Sequence, residues 1–451
     1  MASTYLQRTF TAGNRKTFTM SAWIKLAFTS NSNNIVVFNA DTDSGVDHDG
    51  LRFETDNKLQ FFSYNGSFQC NLRTNRLFRD TSSWYHVVVS VDTTQATSSD
   101  RVKMYINGVQ ETSFSTETYP SQNYDFTEFN NASHNLEVGA RARLSEQYFD
   151  GSMAHVHWID GTAYDASAFG QTDSASGIWK PKTSPSVTYG TNGFFLDFAN
   201  SSDLGNDVSG NNNDLTLSGS GTQTLDTPSN VFATWNFLLA GVATWSPTFS
   251  NGNLSVSLGA DDAAISNLGV SQGKWYCEVK CTNDAANPCV GMSNESGTAY
   301  TNPGTSNLQG TNECRYLSDG TKRGFGSGDL AYGSSWTTND IIGMAVDLEN
   351  NAIWFSKNGV WQNSATQTEI ENGTTTNAAF TGFSGTFFIG GCCNAASGTT
   401  GDAFSVNFGN GYFGTTAVST PESDSAGLGK FEYSVPTGYY ALCTKNIADY
   451  G

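Results

Sequence analysis

The sequence predicts an all-β protein of two antiparallel β-sandwich domains joined by an Asn/Asp/Ser-rich bridge. Three observations carry that prediction. First, one phrase occurs twice: an apolar strand ending in Asp, a return strand, and an Asn-Gly turn, at 84–110 (WYHVVVSVD, then RVKMYINGVQ) and at 339–361 (NDIIGMAVDLENNAIWFSKNGVW). Asn-Gly suits a two-residue hairpin because both residues tolerate positive φ, which matches the turn to the right-handed twist of its strands. Second, only 14% of residues are charged, while glycines number 46 and aromatics reach 13%, a balance in which strands supply the core and polar loops the surface. Third, no long stretch has helical periodicity, and 451 residues suffice for two or three domains with separate cores.

Taken in order, Thr17 to Leu26 (TFTMSAWIKL) alternates, with Phe18, Met20, Ala22 and Ile24 on one face. Asn34 to Asn39 (NIVVFN) is the next strand, followed by the acidic loop 41–50, DTDSGVDHDG. Short strands at Leu51 to Phe53 and Leu59 to Phe62 turn at Asp56-Asn57, and the first copy of the hairpin phrase follows. Leu136 to Gly139 and Gly151 to Trp158 close the unit, the latter with Met153, His155 and His157 assigned to one face and Ala154, Val156 and Trp158 to the other. Asp165 to Lys182 holds a short helical turn near Ala166 to Phe169. Beyond it Ser, Thr, Asn and Gly dominate up to Thr234, around one strand at Gly193 to Phe198. In the second half Gly273 to Lys280 (GKWYCEVK) places Trp275, Cys277 and Val279 on one face, Asp319-Gly320 turns within Tyr316 to Phe325, and Phe404 to Phe408 and Pro436 to Cys443 complete the strands.

The order TFTMSAWIK, DGLRF, WYHVVVSVD, VKMYINGV, LEVGAR, FDGSMAHVHWID, over about Tyr5 to Tyr164, resembles laminin-G-like, concanavalin-like domains. That resemblance implies two stacked sheets in a jelly roll. The order GKWYCEV, VGMSN, SDGTKRGFGSG, NDIIGMAVDLENNAIWFSKNG, VNFG, PTGYYAL, over about Trp235 to Lys445, is similar to SPRY domains, which implies a second sandwich of a generally protein-binding, non-enzymatic kind. Polar insertions at Ser293 to Asn312 and Gly391 to Asp402 depart from the SPRY pattern. The domains expected are 1–182 laminin-G-like, 183–234 a bridge whose parent domain the sequence leaves open, and 235–451 SPRY-like.

Twenty-three basic residues face 42 acidic ones, a net charge of -19. Such a surface repels phosphate backbones and anionic lipid, so nucleic acid and membrane insertion are excluded as partners. The N-terminus lacks the apolar core of a signal peptide, and no run approaches the roughly 20 apolar residues of a spanning helix. A soluble chain made in a cytoplasm is the expectation. The eight cysteines contain no CxxC pair, and buried free thiols are the expected state.

Paired carboxylates of the kind that hydrolyse glycosides occur at Glu369/Glu371 and Asp347/Glu349, but both pairs read as turn residues. His155 and His157 lack a third ligand nearby and read as a packed or surface pair. No G-x-S-x-G elbow is present, and catalytic residues are assigned to none. Asp41, Asp43, Asp47 and Asp49 place four carboxylates in one glycine-containing loop, the hard oxygens calcium prefers, and Asp203, Asp207, Asn211 and Asp214 form a second such patch. Solvated turns compete with this calcium reading. For a binding surface the candidates are the loop aromatics Tyr300, Tyr332 and Trp336, set among Gly, Ser, Thr and Asn.

The two-domain order, the acidity and the N-terminus resemble structural and adhesion proteins of marine bacteriophages. That resemblance implies a non-enzymatic component on the virion surface: a tail fibre, head fibre or capsid decoration, contacting other virion proteins and host-surface glycan, and homo-oligomeric with a trimer favoured. Two alternatives stand beside it: a polysaccharide depolymerase, and a non-viral module whose SPRY half grips a peptide.

Overall fold

A computed structural model of the chain describes residues 3–27, 33–42, 47–132, 134–144, 147–239, 247–259, 262–297, 311–393 and 401–451. The chain divides into two compact units, Met1–Gln223 and Thr224–Gly451, each an antiparallel sandwich with its own core.

The first unit contains β1 (Tyr5–Thr9), β2 (Thr17–Leu26), β3 (Ile35–Asp41), β4 (His48–Phe53), β5 (Lys58–Tyr64), β6 (Phe68–Leu77), β7 (Tyr85–Asp92), β8 (Val102–Ile106), β9 (Val109–Glu111), β10 (Phe114–Thr118), β11 (Asn135–Val138), β12 (Gly151–Asp160), β13 (Gly170–Thr172), β14 (Trp179–Pro181), β15 (Phe194–Leu196) and β16 (Thr216–Ser218). One sheet runs β10-β6-β5-β4-β3-β11-β1-β16 and the other β15-β12-β2-β7-β8-β9, with β13 and β14 a separate hairpin. Because side chains alternate along a strand, Phe18, Met20, Ala22 and Ile24 of β2 and Val87, Val89 and Val91 of β7 face Leu51, Phe53, Leu59, Phe61 and Leu72 across the core. Trp158 lies at its centre, stacked on Phe18 with ring centroids 5.4 Å apart.

Two expectations change here. The strict alternation assigned to 151–158 breaks at a bulge: β12 pairs β2 up to Ala154 and resumes at His157, with His155 at φ 46°. One inserted residue flips the faces on either side of it, so Met153 packs on the core whereas His157 faces away, among Phe169, Tyr189 and Phe195. The bridge is also strand-paired over much of its length. β15 adds to the edge of one sheet beside β12 and β16 to the edge of the other beside β1, so 183–223 folds with the first unit.

The second unit pairs Lys274–Asn283 with Ile341–Asp347 and Ala403–Asn407 in one sheet, and stacks against it a sheet running Ala263–Ala264, Phe387–Cys393, Cys289–Asn294, Glu313–Leu317, Thr321–Gly324, Ser327–Ala331. Trp275, Cys277 and Val279 enter the core together, beside Ile342, Met344 and Val346. The two repeated hairpins are built alike. Asn107 (φ 50°) and Gly108 (φ 83°) turn the first, Asn358 (φ 49°) and Gly359 (φ 78°) the second. In each the asparagine Oδ1 accepts a backbone N–H from the partner strand, of His86 at 2.8 Å and of Ile341 at 2.9 Å. The paired carboxylates are turn and cap groups: Asp347 accepts from the N–H of Glu349 and Asn350, Glu369 completes a capping box with Thr366 on the helix Gln367–Glu371, and Glu371 accepts from the Thr437 N–H.

Free, buried thiols are found at Cys70, Cys277, Cys281, Cys314, Cys392 and Cys443, but Cys289 is disulfide-bonded. The free-thiol expectation fails there because strand register, invisible in Cys spacing, sets which cysteines meet; the Cys289 backbone stands opposite Cys393.

Candidate functional site

The face of the eight-stranded sheet that points away from the core carries three rungs of side chains in register. In the first, Arg73, Gln60, Arg52 and Val36 are successive cross-strand neighbours from β6 to β3. In the second, Asn71, Phe62, Gly50, Asn39, Glu137 and Gln7 cross from β6 to β1. In the third stand Phe68, Tyr64, His48, Asp41 and Asn135. The core-facing neighbours of these residues are Leu51, Phe53, Leu59, Phe61, Leu72 and Leu136, so the apolar alternate positions hold the polar ones in a row on the other side.

These polar groups are ordered by one another. Gln60 donates from Nε2 to Asn71 Oδ1 at 2.9 Å and accepts from Arg52 Nε at 2.9 Å. Asn39 Nδ2 donates to Glu137 Oε2 at 3.0 Å, which also accepts the Ala142 N–H at 3.0 Å. Burial pushes the Glu137 carboxyl up to about 7 against those two hydrogen bonds, and burial lowers the Arg52 guanidinium. The Phe62 ring lies across Gly50, where a Cβ would come 2.8 Å from its Cζ, and the Arg52 guanidinium sits 4.5 Å above it. Phe62 continues into an aromatic group with His48, Tyr64 and the half-exposed Phe68. Gln60 and Phe62 are 3% and 2% exposed and Asn39 and Glu137 are also buried, so these groups form a filled layer. The side chains left open on it are Arg52, Arg73, His48, Tyr64 and Phe68, and cations beside aromatic rings suit a ligand with hydroxyls and apolar C–H faces.

The residues singled out in the sequence lie elsewhere. Tyr300 and Asp43 fall outside the described residues. Tyr332 and Trp336 are corrected from loop platform to core: they are 7% and 2% exposed, and Tyr332 OH accepts the Phe355 N–H at 3.1 Å. Their polar loop folds back on the sheet, with Tyr332 N–H on Gly320 O and Trp336 N–H on Ser318 O, and turns both rings inward against Tyr316. The acidic loop is drawn apart by other partners. Asp41 accepts from Arg141 Nε at 3.0 Å and Arg143 Nε at 3.2 Å, while buried Asp49 accepts the N–H groups of Glu128 and Phe129. Asp41, Asp47 and Asp49 still act on Glu128, whose carboxyl burial and these charges push up to about 8. Among the described residues no group of three His, Cys, Asp or Glu side chains is placed to hold a metal ion. In the second patch Asp207 accepts from the N–H of Phe195, Ser209 and Asn213 and so forms a turn.

One hydroxyl meets an imidazole without forming a nucleophile. Ser21 Oγ lies 2.9 Å from His86 Nε2, and Trp179 Nε1–H donates to His86 Nδ1 at 3.0 Å. An indole can only donate, so Nδ1 is the bare nitrogen and Nε2–H donates to Ser21. A base that takes the serine proton needs the reverse tautomer.

Residues 2–166 match the family model of the concanavalin A-like lectin/glucanases superfamily, and residues 274–410 match the model of the SPRY domain. No curated protein sequence matches the chain. Among solved structures, the SPRY domain of human HERC1 is 18% identical, with 36% of this chain and 91% of that one covered and a TM-score of 0.28. The heptameric SAP-like pentraxin of Limulus polyphemus is 14% identical, over 36% and 72%, with a TM-score of 0.27. Domain 4 of the extracellular arabinanase AbnA of Geobacillus stearothermophilus, in complex with arabinotriose, is 18% identical, over 33% and 61%, with a TM-score of 0.24.

Proposed function

From a chain that carries a concanavalin-like lectin-type sandwich followed by an SPRY sandwich, we propose a non-enzymatic binding protein whose first unit holds a glycan on the outer face of its eight-stranded sheet. The observation that supports this reading is the partly open row of Arg52, Arg73, His48, Tyr64 and Phe68, held from below by buried Gln60 and Phe62. Its planar groups are held by one another, so little ordering remains to be done when a sugar arrives. Titration of the purified chain with oligosaccharides from a host surface, followed by NMR or calorimetry, tests it. Shifts confined to β4, β5 and β6 are expected, and binding that survives loss of both Arg52 and Phe62 would sink the reading.

The finer role proposed is that of a bacteriophage virion component, a tail fibre, head fibre or decoration protein that attaches to host glycan or to neighbouring subunits as a homo-oligomer. It rests on the resemblance of this two-sandwich order and acidity to such proteins. Mass spectrometry of purified particles tests it, and particles without the chain would exclude it. A depolymerase is distinguished by new reducing ends when the protein is incubated with host polysaccharide; none are expected.

A further inference from the structure

The outer face of the other sheet of the first unit is covered by residues 161–190, and the cover is held through histidines. His86 lies between two indoles, 4.7 Å from the Trp23 ring and 6.0 Å from that of Trp179. His157 is stacked at 4.1 Å on Phe195, and its Nδ1 meets Tyr189 OH at 3.1 Å. Trp179 and Tyr189 both belong to the cover, which adds Ala166 and Phe169 to a small cluster with Val88 and Ile159 of the sheet. His155, at the bulge, stacks on Phe195 at 5.8 Å. His157 is 1% exposed, and its Nε2 has no hydrogen-bond partner among the described residues, like His155 Nδ1 and Trp23 Nε1.

We propose that 161–190 is an acid-released strap: protonation of His86, His155 and His157 breaks its hold through Trp179 and Tyr189 and uncovers the aromatic face beneath, while the sandwich core stays folded. At His86 the reason is donor against donor. Nδ1 must stay bare to accept from Trp179 Nε1–H, and an imidazolium carries a proton on both nitrogens. His157 and His155 sit beside His86 and against aromatic rings, where a second and third positive charge are penalised by burial and by each other. Asp197 near His155 is the carboxylate that opposes this, and Asp207 acts on Tyr189. From β2 the same face carries Lys25 and from β8 Lys103 and Tyr105; the strap brings Tyr164, Asp165 and the ion pair Lys180–Asp173.

The sign follows from where the proton prefers to be. Burial lowers all three histidines, His86 to about 3. The released strap returns them to about 6.5. Above that pH neither state holds the protons; below it, each histidine shifts the balance toward release by about tenfold per pH unit until its buried value is reached. The core responds in the opposite sense. Asp49 at about 6 and Glu137 at about 7 are raised by burial, so what they contribute is fully present at acid pH and is lost only as pH rises. Acid therefore loosens the strap without loosening the eight-stranded sheet.

Hydrogen exchange of the full chain from pH 8 to pH 4.5, corrected for intrinsic rates, tests this. Protection of 161–190 is expected to fall at least a hundredfold between pH 7 and pH 5, with β2, β5 and β6 still protected. Strap and core losing protection together, or a strap indifferent to pH, would overturn it. His86→Asn keeps an acceptor for Trp179 but cannot titrate, and should remove about a tenfold change per pH unit from the dependence; an unchanged dependence counts against the proposal. Should that variant misfold, 15N NMR of the wild-type histidines decides: His86 as the neutral Nε2–H tautomer at pH 7.5, where the strap is closed, supports the proposal, and His86 as the Nδ1–H tautomer or as a cation at that pH refutes it.

Discussion

Arg52 holds its guanidinium 4.5 Å above the Phe62 ring while its Nε donates to Gln60. One side chain thereby joins the polar ladder to the aromatic group, and Gly50 beneath the ring makes the arrangement sterically possible. Arg52→Ala should weaken glycan binding by about tenfold, the ~1.4 kcal/mol scale of a lost charge-assisted hydrogen bond. Gly50→Ala should do the same by another route, because the new Cβ displaces the ring. Both are measured by calorimetric titration beside the melting temperature. Loss of binding with a melting shift under about 4 °C is the expected pair of results.

Glu137 gives the same face a pH dependence. Its carboxyl is raised to about 7 mainly by burial, so the folded unit prefers it protonated where an unfolded chain would already ionise it. The stability this confers is present below about pH 4.3 and is lost as pH rises through about 7. Glu137→Gln offers an amide oxygen to Asn39 and Ala142 with no charge to bury. The variant should match the wild type at pH 4 and exceed it by on the order of 3 kcal/mol at pH 8, as read from urea unfolding at the two pH values.

What could be read before the structure was local chemistry. Asn107-Gly108, Asn358-Gly359 and Asp319-Gly320 mark their turns in two residues each, and the alternation in β2 assigned Phe18, Met20, Ala22 and Ile24 to the core correctly. The candidate face was not legible, because Asn71, Gln60, Arg52, Asn39 and Glu137 come from five strands and meet only through register. A buried Gln or Asn on an otherwise apolar strand was the available signal. Tyr332 and Trp336 misled because composition reports that a segment is polar, not which way its loop folds. The bulge at His155 has no turn residue to announce it.

Calcium, expected from the sequence at Asp41, Asp43, Asp47 and Asp49, of which Asp43 lies outside the described residues, has a direct test. Asp41, Asp47 and Asp49 act on a buried Glu128 that also contacts His134, and a divalent cation would relieve their mutual repulsion. Calcium should raise the melting temperature relative to EDTA, by an amount that grows with the logarithm of its concentration. Neither heat on titration nor a melting shift would end the idea.

The two repeated hairpins separate the cost of a left-handed backbone from that of a lost hydrogen bond. Asn107 and Asn358 each adopt positive φ, which costs an ordinary L-residue about 1 kcal/mol. Each also accepts a backbone N–H of the partner strand, of His86 or Ile341, a bond worth about 1 kcal/mol. Asn107→Ala and Asn358→Ala should therefore destabilise their own units by similar amounts, about 2 kcal/mol each. Asn107→Gly keeps the backbone freedom and loses only the side-chain acceptor, so it should cost about half as much; Asn358→Gly also loses the Nδ2 donation to Asp340 at 2.7 Å and should recover less. Urea denaturation monitored by hydrogen exchange in each unit separates the two sites. A glycine variant as damaging as its alanine counterpart would assign the whole effect to the hydrogen bond and none to the left-handed backbone.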